Sequence, residues 1–284
     1  MRRQLREFLE MIKFEHTIFA LPFAYLGMVL AAGGWPSWWV FIWVTVAMAS
    51  ARTLAMAANR LIDRFIDARN PRTANRALPG HRITPLTVIA IGAVSLLIFE
   101  LAAAALNPLA LALSPAAVAF LVGYPYAKRY TWLSHWILGL TDGMAAVGGW
   151  VAVTAWLEPS AWLLWIAVTF WIAGFDLIYA GQDVDFDQAE GLYSVPACFG
   201  MKVALDLARI CHAITLLFLA AVGFVMHLHP VYWLGWVGAF VLLVYEHSLV
   251  SPTDLSRVDM AFFNVNGYIS VLVFVTTLVA VLMG

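Results

Sequence analysis

The chain has 284 residues, 63% hydrophobic and only 12% charged, with a formal net charge of −1 and a mean hydropathy of +0.85. An ordinary soluble domain carries roughly 25% charged residues, so a water-soluble globule is excluded, and the near-zero charge gives no sign of a nucleic-acid partner. Three stretches lack Asp, Glu, Lys and Arg altogether: His16 to Ala51, Ile210 to Tyr245, and Met260 to Gly284. A membrane-crossing helix takes about 20 apolar residues, so the first two stretches predict two spans each and the third predicts one. The expected fold class is all-α: a single domain over residues 1–284, built as an integral membrane bundle of about nine transmembrane helices. The charged, amphipathic N-terminus and the long first apolar stretch do not read as a cleavable signal peptide.

Turn residues set the spans in chain order. Gly33-Gly34-Trp35-Pro36-Ser37 divides 17–33 from 38–58, and Asn107-Pro108 divides 84–106 from 109–123. Glu158-Pro159 separates 136–156 from 160–180, His227-Leu228-His229-Pro230 separates 206–227 from 231–249, and the last span covers 262–283. Nine spans make the connections alternate between sides. The sixteen Lys and Arg all lie on the side of the N-terminus and of 59–83, 124–135, 181–205 and 250–261, counting Arg52 and Arg209 at helix ends. By the positive-inside rule that side is the cytoplasm, and the expected location is the cell inner (plasma) membrane. Cys198 and Cys211 form no metal spacing and read as structural, as the seven histidines show no ligand spacing. The thirteen Trp suit an interfacial belt.

Two cytoplasmic segments carry the chemistry. In the first, running off the second span, Asn59, Asp63 and Asp67 recur every four residues and share a helical face. In the second, off the sixth span, Tyr179, Asp183 and Asp187 repeat that step 120 positions later. Facing carboxylate pairs supply hard oxygen ligands for Mg²⁺, which favours a few carboxylates with phosphate oxygens and water. Arg60, Arg64, Arg69, Arg72, Arg76, Arg82, Lys128 and Arg129 lie beside them. Carboxylates and basic groups together predict a site for a polyanion such as diphosphate. The bland alternative is Asp–Arg pairing at headgroup level, and its weight falls when the motif occurs twice in matched positions.

These residues resemble the signature of UbiA-type aromatic prenyltransferases. The likeness runs through Asn59-Arg60-x-x-Asp63-x-x-x-Asp67, Asn70-Pro71-Arg72-Thr73-x-Asn75-Arg76-x-Leu78-Pro79 and Tyr124-Pro125-Tyr126-x-Lys128-Arg129-Tyr130-Thr131. It continues through Tyr179-Ala180 to Asp187, Gly191-Leu192-x-Ser194-x-Pro196 and Asn264-x-Asn266-Gly267-Tyr268. It is nearest to 4-hydroxybenzoate polyprenyltransferases and their relatives on the futalosine route to menaquinone. The resemblance implies a nine-helix bundle around a central cavity open to the cytoplasm and, laterally, to lipid, with an allylic polyprenyl diphosphate as donor. Carried over by position, Asn59, Asp63, Asp67, Asp183 and Asp187 would bind Mg²⁺. Arg64, Arg72, Lys128 and Arg129 would neutralise the diphosphate. Tyr179, Tyr124 and Tyr126 would shelter an allylic cation, and Asp183 or Asp187 would take the ring proton. Lys13, Arg60 and Arg129 are candidates for the carboxylate of an aromatic acid acceptor.

The early segment departs from the Arg-x-Asp-Lys-Pro of the hydroxybenzoate enzymes, reading Lys13-Phe14-Glu15-His16-Thr17. Asp142 and Asp176 fall inside spans, where an ionisable group faces a cavity or a partner. The expected reaction is Mg²⁺-dependent polyprenyl transfer to an aromatic acid such as 4-hydroxybenzoate in quinone biosynthesis, with a dihydroxynaphthoate as the alternative acceptor. A transporter is the competing class, but transporters bind near the bilayer midplane, whereas these polar clusters sit at helix ends.

Overall fold

Polar caps and prolines cut the apolar chain into helices at its turn residues. The structure, a computed structural model, describes residues 17–284. Nine long helices occur among the described residues. They are α1 (Thr17–Ala32), α2 (Trp38–Ile62), α3 (Pro85–Leu106), α4 (Pro108–Gly123), α5 (Ser134–Thr154), α6 (Pro159–Tyr179), α7 (Met201–Val225), α8 (Val231–Ser248) and α9 (Asn266–Met283). Ser37 caps α2 by accepting from Val40 N (3.3 Å). Asn107 ends α3 and caps α4, accepting from Ala110 N (2.9 Å), while its amide donates to Val151 O of α5 (2.8 Å). Pro85, Pro108 and Pro159 begin helices, where their missing N–H costs nothing.

Seven helical segments are long and apolar enough to cross a membrane. The 18-residue α8 is not among them, and the apolar part of α1 within the described residues is the shorter Leu21–Ala32.

Around the bundle α1 packs on α5, α5 on α6, α6 on α7, α8 on α9, and α9 back on α1; α2 and α3 pair beside this ring. Its largest apolar core includes Trp150, Leu164, Trp171, Leu177, Leu205 and Ile269. Lipid supplies no hydrophobic drive between helices, so close backbone approach matters. A Cβ on Gly149 would lie 2.0 Å from Ala24 O, and one on Gly27 would lie 1.9 Å from Ala146 O, so these glycines set the α1–α5 contact.

The structure corrects four expectations, the first being that α7 begins at Met201, five residues before the expected 206. Helix α2 continues to Ile62, four residues past its expected end, because Asn59 and Arg60 face a cavity rather than a connection. The last long helix begins at Asn266, after a π-helical turn at Met260–Val265. Neither carboxylate segment is one unbroken helix. Asp63 (φ −89°, ψ 2°) ends α2 and starts a short helix, Arg64–Arg69. Past α6, after a 3₁₀ turn at Ala180–Asp183, Asp183 (φ −110°, ψ 10°) starts Val184–Glu190. The 120-residue echo is therefore conformational too, with a kink at the middle carboxylate of each set in the sparsely populated bridge region.

Candidate active site

A cavity of about 730 Å³ opens where α2 and α6 end. Its deep walls are apolar, with Val44, Met48, Leu106, Leu113, Val151 and Trp165 among them. Its mouth is lined by Asn59, Arg60, Asp63, Asp67, Arg72, Arg76, Tyr124, Lys128, Tyr179, Asp183 and Asp187, so both carboxylate sets face one space.

Each carboxylate is held by groups from distant segments. Asp63, 2% exposed, accepts from Lys128 Nζ (2.6 Å) and Arg129 Nη2 (2.9 Å) of the 3₁₀ turn Tyr124–Arg129. Arg129 Nη2 also donates to Ile62 O (2.7 Å), which fixes that turn against the end of α2. Asp67 receives Arg76 Nη1 on both oxygens (2.9 and 2.8 Å), with Arg60 at 3.6 Å. Thr73 Oγ1 donates to Asp67 O (2.9 Å) and Arg72 N to Asn70 Oδ1 (2.9 Å), so the loop that delivers Arg72 and Arg76 folds on its own polar atoms.

Asp183 accepts from Asn70 Nδ2 and Arg72 Nε (both 2.9 Å) and from Arg72 Nη2. Asp187 accepts from Ser194 Oγ (2.9 Å), the N-cap of Val195–Phe199. Outside the cavity a bidentate Arg69–Glu190 pair (2.9 and 2.6 Å) ties the two short helices together.

Electrostatics separate the two acids beyond α6. Burial pushes the Asp183 carboxyl up, but the bonds from Arg72 and Asn70 outweigh it and hold it below the usual range. Burial, aided by the Asp183 charge, leaves Asp187 above that range. Five cations (Arg60, Arg72, Arg76, Lys128, Arg129) pair with three of the four mouth carboxylates, Asp63, Asp67 and Asp183. Hard oxygen donors and basic groups together suit a metal-bearing polyanion. An aromatic wall stands beside it. The Tyr179 ring stacks on Phe262 of the π-helical turn at 4.1 Å, and Tyr179 OH accepts from Arg72 Nη1 (3.3 Å).

Residues 20–282 match the UbiA prenyltransferase family. The chain belongs to that family. The 4-hydroxybenzoate octaprenyltransferase of Aeromonas salmonicida is 34% identical over 246 residues, 87% of this chain and 84% of that one. The enzyme of the same description from Photobacterium profundum is 26% identical across 98% of this chain and 97% of its own. A UbiA homologue from Aeropyrum pernix superposes with a TM-score of 0.85 at 34% identity, over 93% of this chain and 98% of that one. A UbiA homologue from Archaeoglobus fulgidus, solved with GPP and Mg²⁺, shares the fold at a TM-score of 0.77 and 19% identity, over 97% and 99% of the two chains.

In this family member most residues singled out by sequence converge on the mouth, but Arg64, Tyr126 and Arg129 do not line the cavity. Arg64 lies over the Phe65 ring, 4.5 Å from its centroid, and is absent from the cavity wall. Arg129 grips Asp63 from behind rather than lining the cavity, with its guanidinium over Tyr126. Lys13 lies outside the described residues.

Two groups of residues had no role assigned by sequence. Asn70, Arg76 and Ser194 hold mouth carboxylates. A deeper polar layer of Arg52, His135, Asp142 and Asp176 lines the cavity. Arg52 stands seven residues before Asn59, two helical turns, so the shared face was available as a signal. His135 carries none.

Proposed function

We propose that this chain transfers a polyprenyl group from an allylic polyprenyl diphosphate to the ring of 4-hydroxybenzoate, in a step of quinone biosynthesis. One observation carries the reading: a cation-rich, carboxylate-bearing mouth set over an apolar cavity among membrane helices. An isoprenoid tail is at home only in such an apolar space, and its diphosphate needs the polar mouth. The names of the 4-hydroxybenzoate octaprenyltransferases similar to it point the same way.

The donor set fits Mg²⁺. Asn59, Asp63, Asp67, Asp183 and Asp187 offer hard oxygens, and among the described residues no three acidic, His or Cys side chains converge on one point. Water and phosphate oxygens would supply the remaining ligands, in keeping with the preference of Mg²⁺. Bound there, the metal neutralises charge that grows on the departing diphosphate. Lys128, Arg72 and Arg60 add fixed positive charge at the same place. Tyr179 and Tyr124 line the cavity where the allylic carbon would become cationic, and their aromatic rings would help to stabilise it.

The acceptor's carboxylate needs a cation in the dry part of the cavity. Arg129 bonds Asp63 outside the cavity wall and Arg60 lies near Asp67, whereas Arg52 lines the cavity with its Nε buried and without a hydrogen-bond partner. Arg52 therefore replaces Arg129 as our candidate, with Asp142 as its electrostatic neighbour. The mouth faces the cytoplasm of a nine-span protein in the inner membrane, in keeping with the one-sided basic residues.

The test is purified enzyme with a polyprenyl diphosphate, Mg²⁺ and a panel of 4-hydroxybenzoate, 1,4-dihydroxy-2-naphthoate and their decarboxylated forms, read by mass spectrometry. Prenylated hydroxybenzoate is expected, lost in excess EDTA. Arg52→Ala should raise KM for the acid well above any change for the diphosphate. Equal kcat/KM for acid and phenol would show that no carboxylate is read, and would overturn the choice of acceptor.

A further inference from the structure

Below the mouth the cavity holds a carboxylate that the binding of diphosphate does not use. Asp176 lies on α6, one turn before its end and seven residues before Asp183. A helix rises about 1.5 Å per residue, so Asp176 belongs to the layer beneath the diphosphate site. Tyr179, three residues on, shares its helix face and also lines the cavity.

A buried histidine orients this acid. His135, 2% exposed at the start of α5, has Nδ1 2.7 Å from Asp176 Oδ2. Its Nε2 lies 3.1 Å from Val195 N, which donates to it. An imidazole nitrogen that accepts carries no proton. The proton therefore sits on Nδ1 and is donated to Asp176, fixing both the tautomer and the carboxylate. The imidazole has no free nitrogen for a substrate. Asp176 does have a free atom: its side chain is 23% exposed, and Oδ1 has no hydrogen-bond partner among the described residues.

Among the competing carboxylates, Asp183 gives both oxygens to Asn70 and Arg72, and Asp63 and Asp67 are closed by basic groups. Asp187 holds Ser194 on Oδ2 and stands four residues past Asp183, in the diphosphate layer above Asp176. Asp142 has Arg52 as its electrostatic neighbour.

We propose that Asp176 is the catalytic base that takes the ring proton of the acceptor, and that His135 is its positioning residue. This rests on the aromatic-transfer reading above. The allylic C–O bond breaks and its electron pair leaves with the diphosphate. A ring carbon ortho to the hydroxyl attacks the allylic carbon, forming the new C–C bond. The ring C–H at that carbon then gives its proton to Asp176 Oδ1, and its electron pair restores aromaticity. His135 Nδ1–H, its tautomer set by the Val195 N–H on Nε2, holds Oδ2 throughout, so Oδ1 alone changes partners.

The experiment compares single-turnover rates for 4-hydroxybenzoate and its 3,5-dideuterated form in the wild type, Asp176→Asn, Asp142→Asn and His135→Ala, with binding of the prenyl diphosphate followed by intrinsic tryptophan fluorescence. Loss of a general base costs about 10²-fold or more. Asp176→Asn should lose that much while binding the diphosphate as the wild type does, and a primary deuterium effect absent from the wild type should emerge. His135→Ala should slow turnover without moving KM, and should cost nothing further in the Asp176→Asn background.

Wild-type rates in Asp176→Asn, a slow variant with no isotope effect, an isotope effect confined to Asp142→Asn, or loss of diphosphate binding in Asp176→Asn would each overturn the assignment. Wild-type failure to prenylate any phenolic acid overturns the underlying reaction instead, and is seen before a variant is made.

Discussion

Asp63 and Asp183 occupy matched kinks 120 residues apart, each holding cations from another segment. If they carry the diphosphate through metal, Asp63→Asn or Asp183→Asn should lower turnover by at least about 10²-fold, the scale of losing one key electrostatic group. Turnover of hydroxybenzoate under saturating Mg²⁺ measures this, and undiminished rates in both variants would remove these residues from the site. The four-residue spacing made the carboxylates legible, because spacing along a helix decides which residues share a face. Their partners were not legible. Lys128 and Arg129 reach Asp63 across 65 and 66 residues, a distance in sequence over which local pattern says nothing. The same gap put Arg129 forward as a free cation for the acceptor and left Arg52 as a helix-end charge.

At the scale of elements, polar residues inside a membrane helix read as its end, which is why α2 seemed to stop before Asn59. The π-helical turn before α9 was hidden for a related reason: its cause is tertiary. Asn266 Nδ2 donates to Ala261 O, Phe262 O and the fully buried Glu246 Oε1 (3.1, 3.2 and 3.2 Å), while Trp171 Nε1 donates to Asn266 Oδ1 (2.6 Å). One side chain thus bonds two backbone carbonyls of the wider turn and the buried Glu246, and the turn sets Phe262 against Tyr179. Asn266→Ala strands Glu246 and these carbonyls and should cost about 1–3 kcal/mol. It should lower the midpoint of thermal unfolding in detergent, and an unchanged midpoint would show that the turn does not depend on this amide.

For the molecule as a whole, turn chemistry was the legible part, since a membrane leaves few ways to arrange long apolar segments. Single cysteines in a Cys-free background should label from the cytoplasm near residues 70, 130 and 190 and from outside near 35, 158 and 229. Labelling of 70 and 158 from the same side would end the nine-span topology. The closed ion pairs of the mouth have one more consequence, for selectivity among soluble anions. With no substrate bound, every mouth cation has a carboxylate beside it, at contact distance or, for Arg60, at 3.6 Å. An arriving anion has to break pairs that already satisfy both partners. A lone phosphate or a sulfate brings too few contacts to do so. A diphosphate arriving with a divalent cation replaces both partners at once, giving the arginines new oxygens and the carboxylates a new positive charge. The paired mouth thereby discriminates against free phosphate and sulfate.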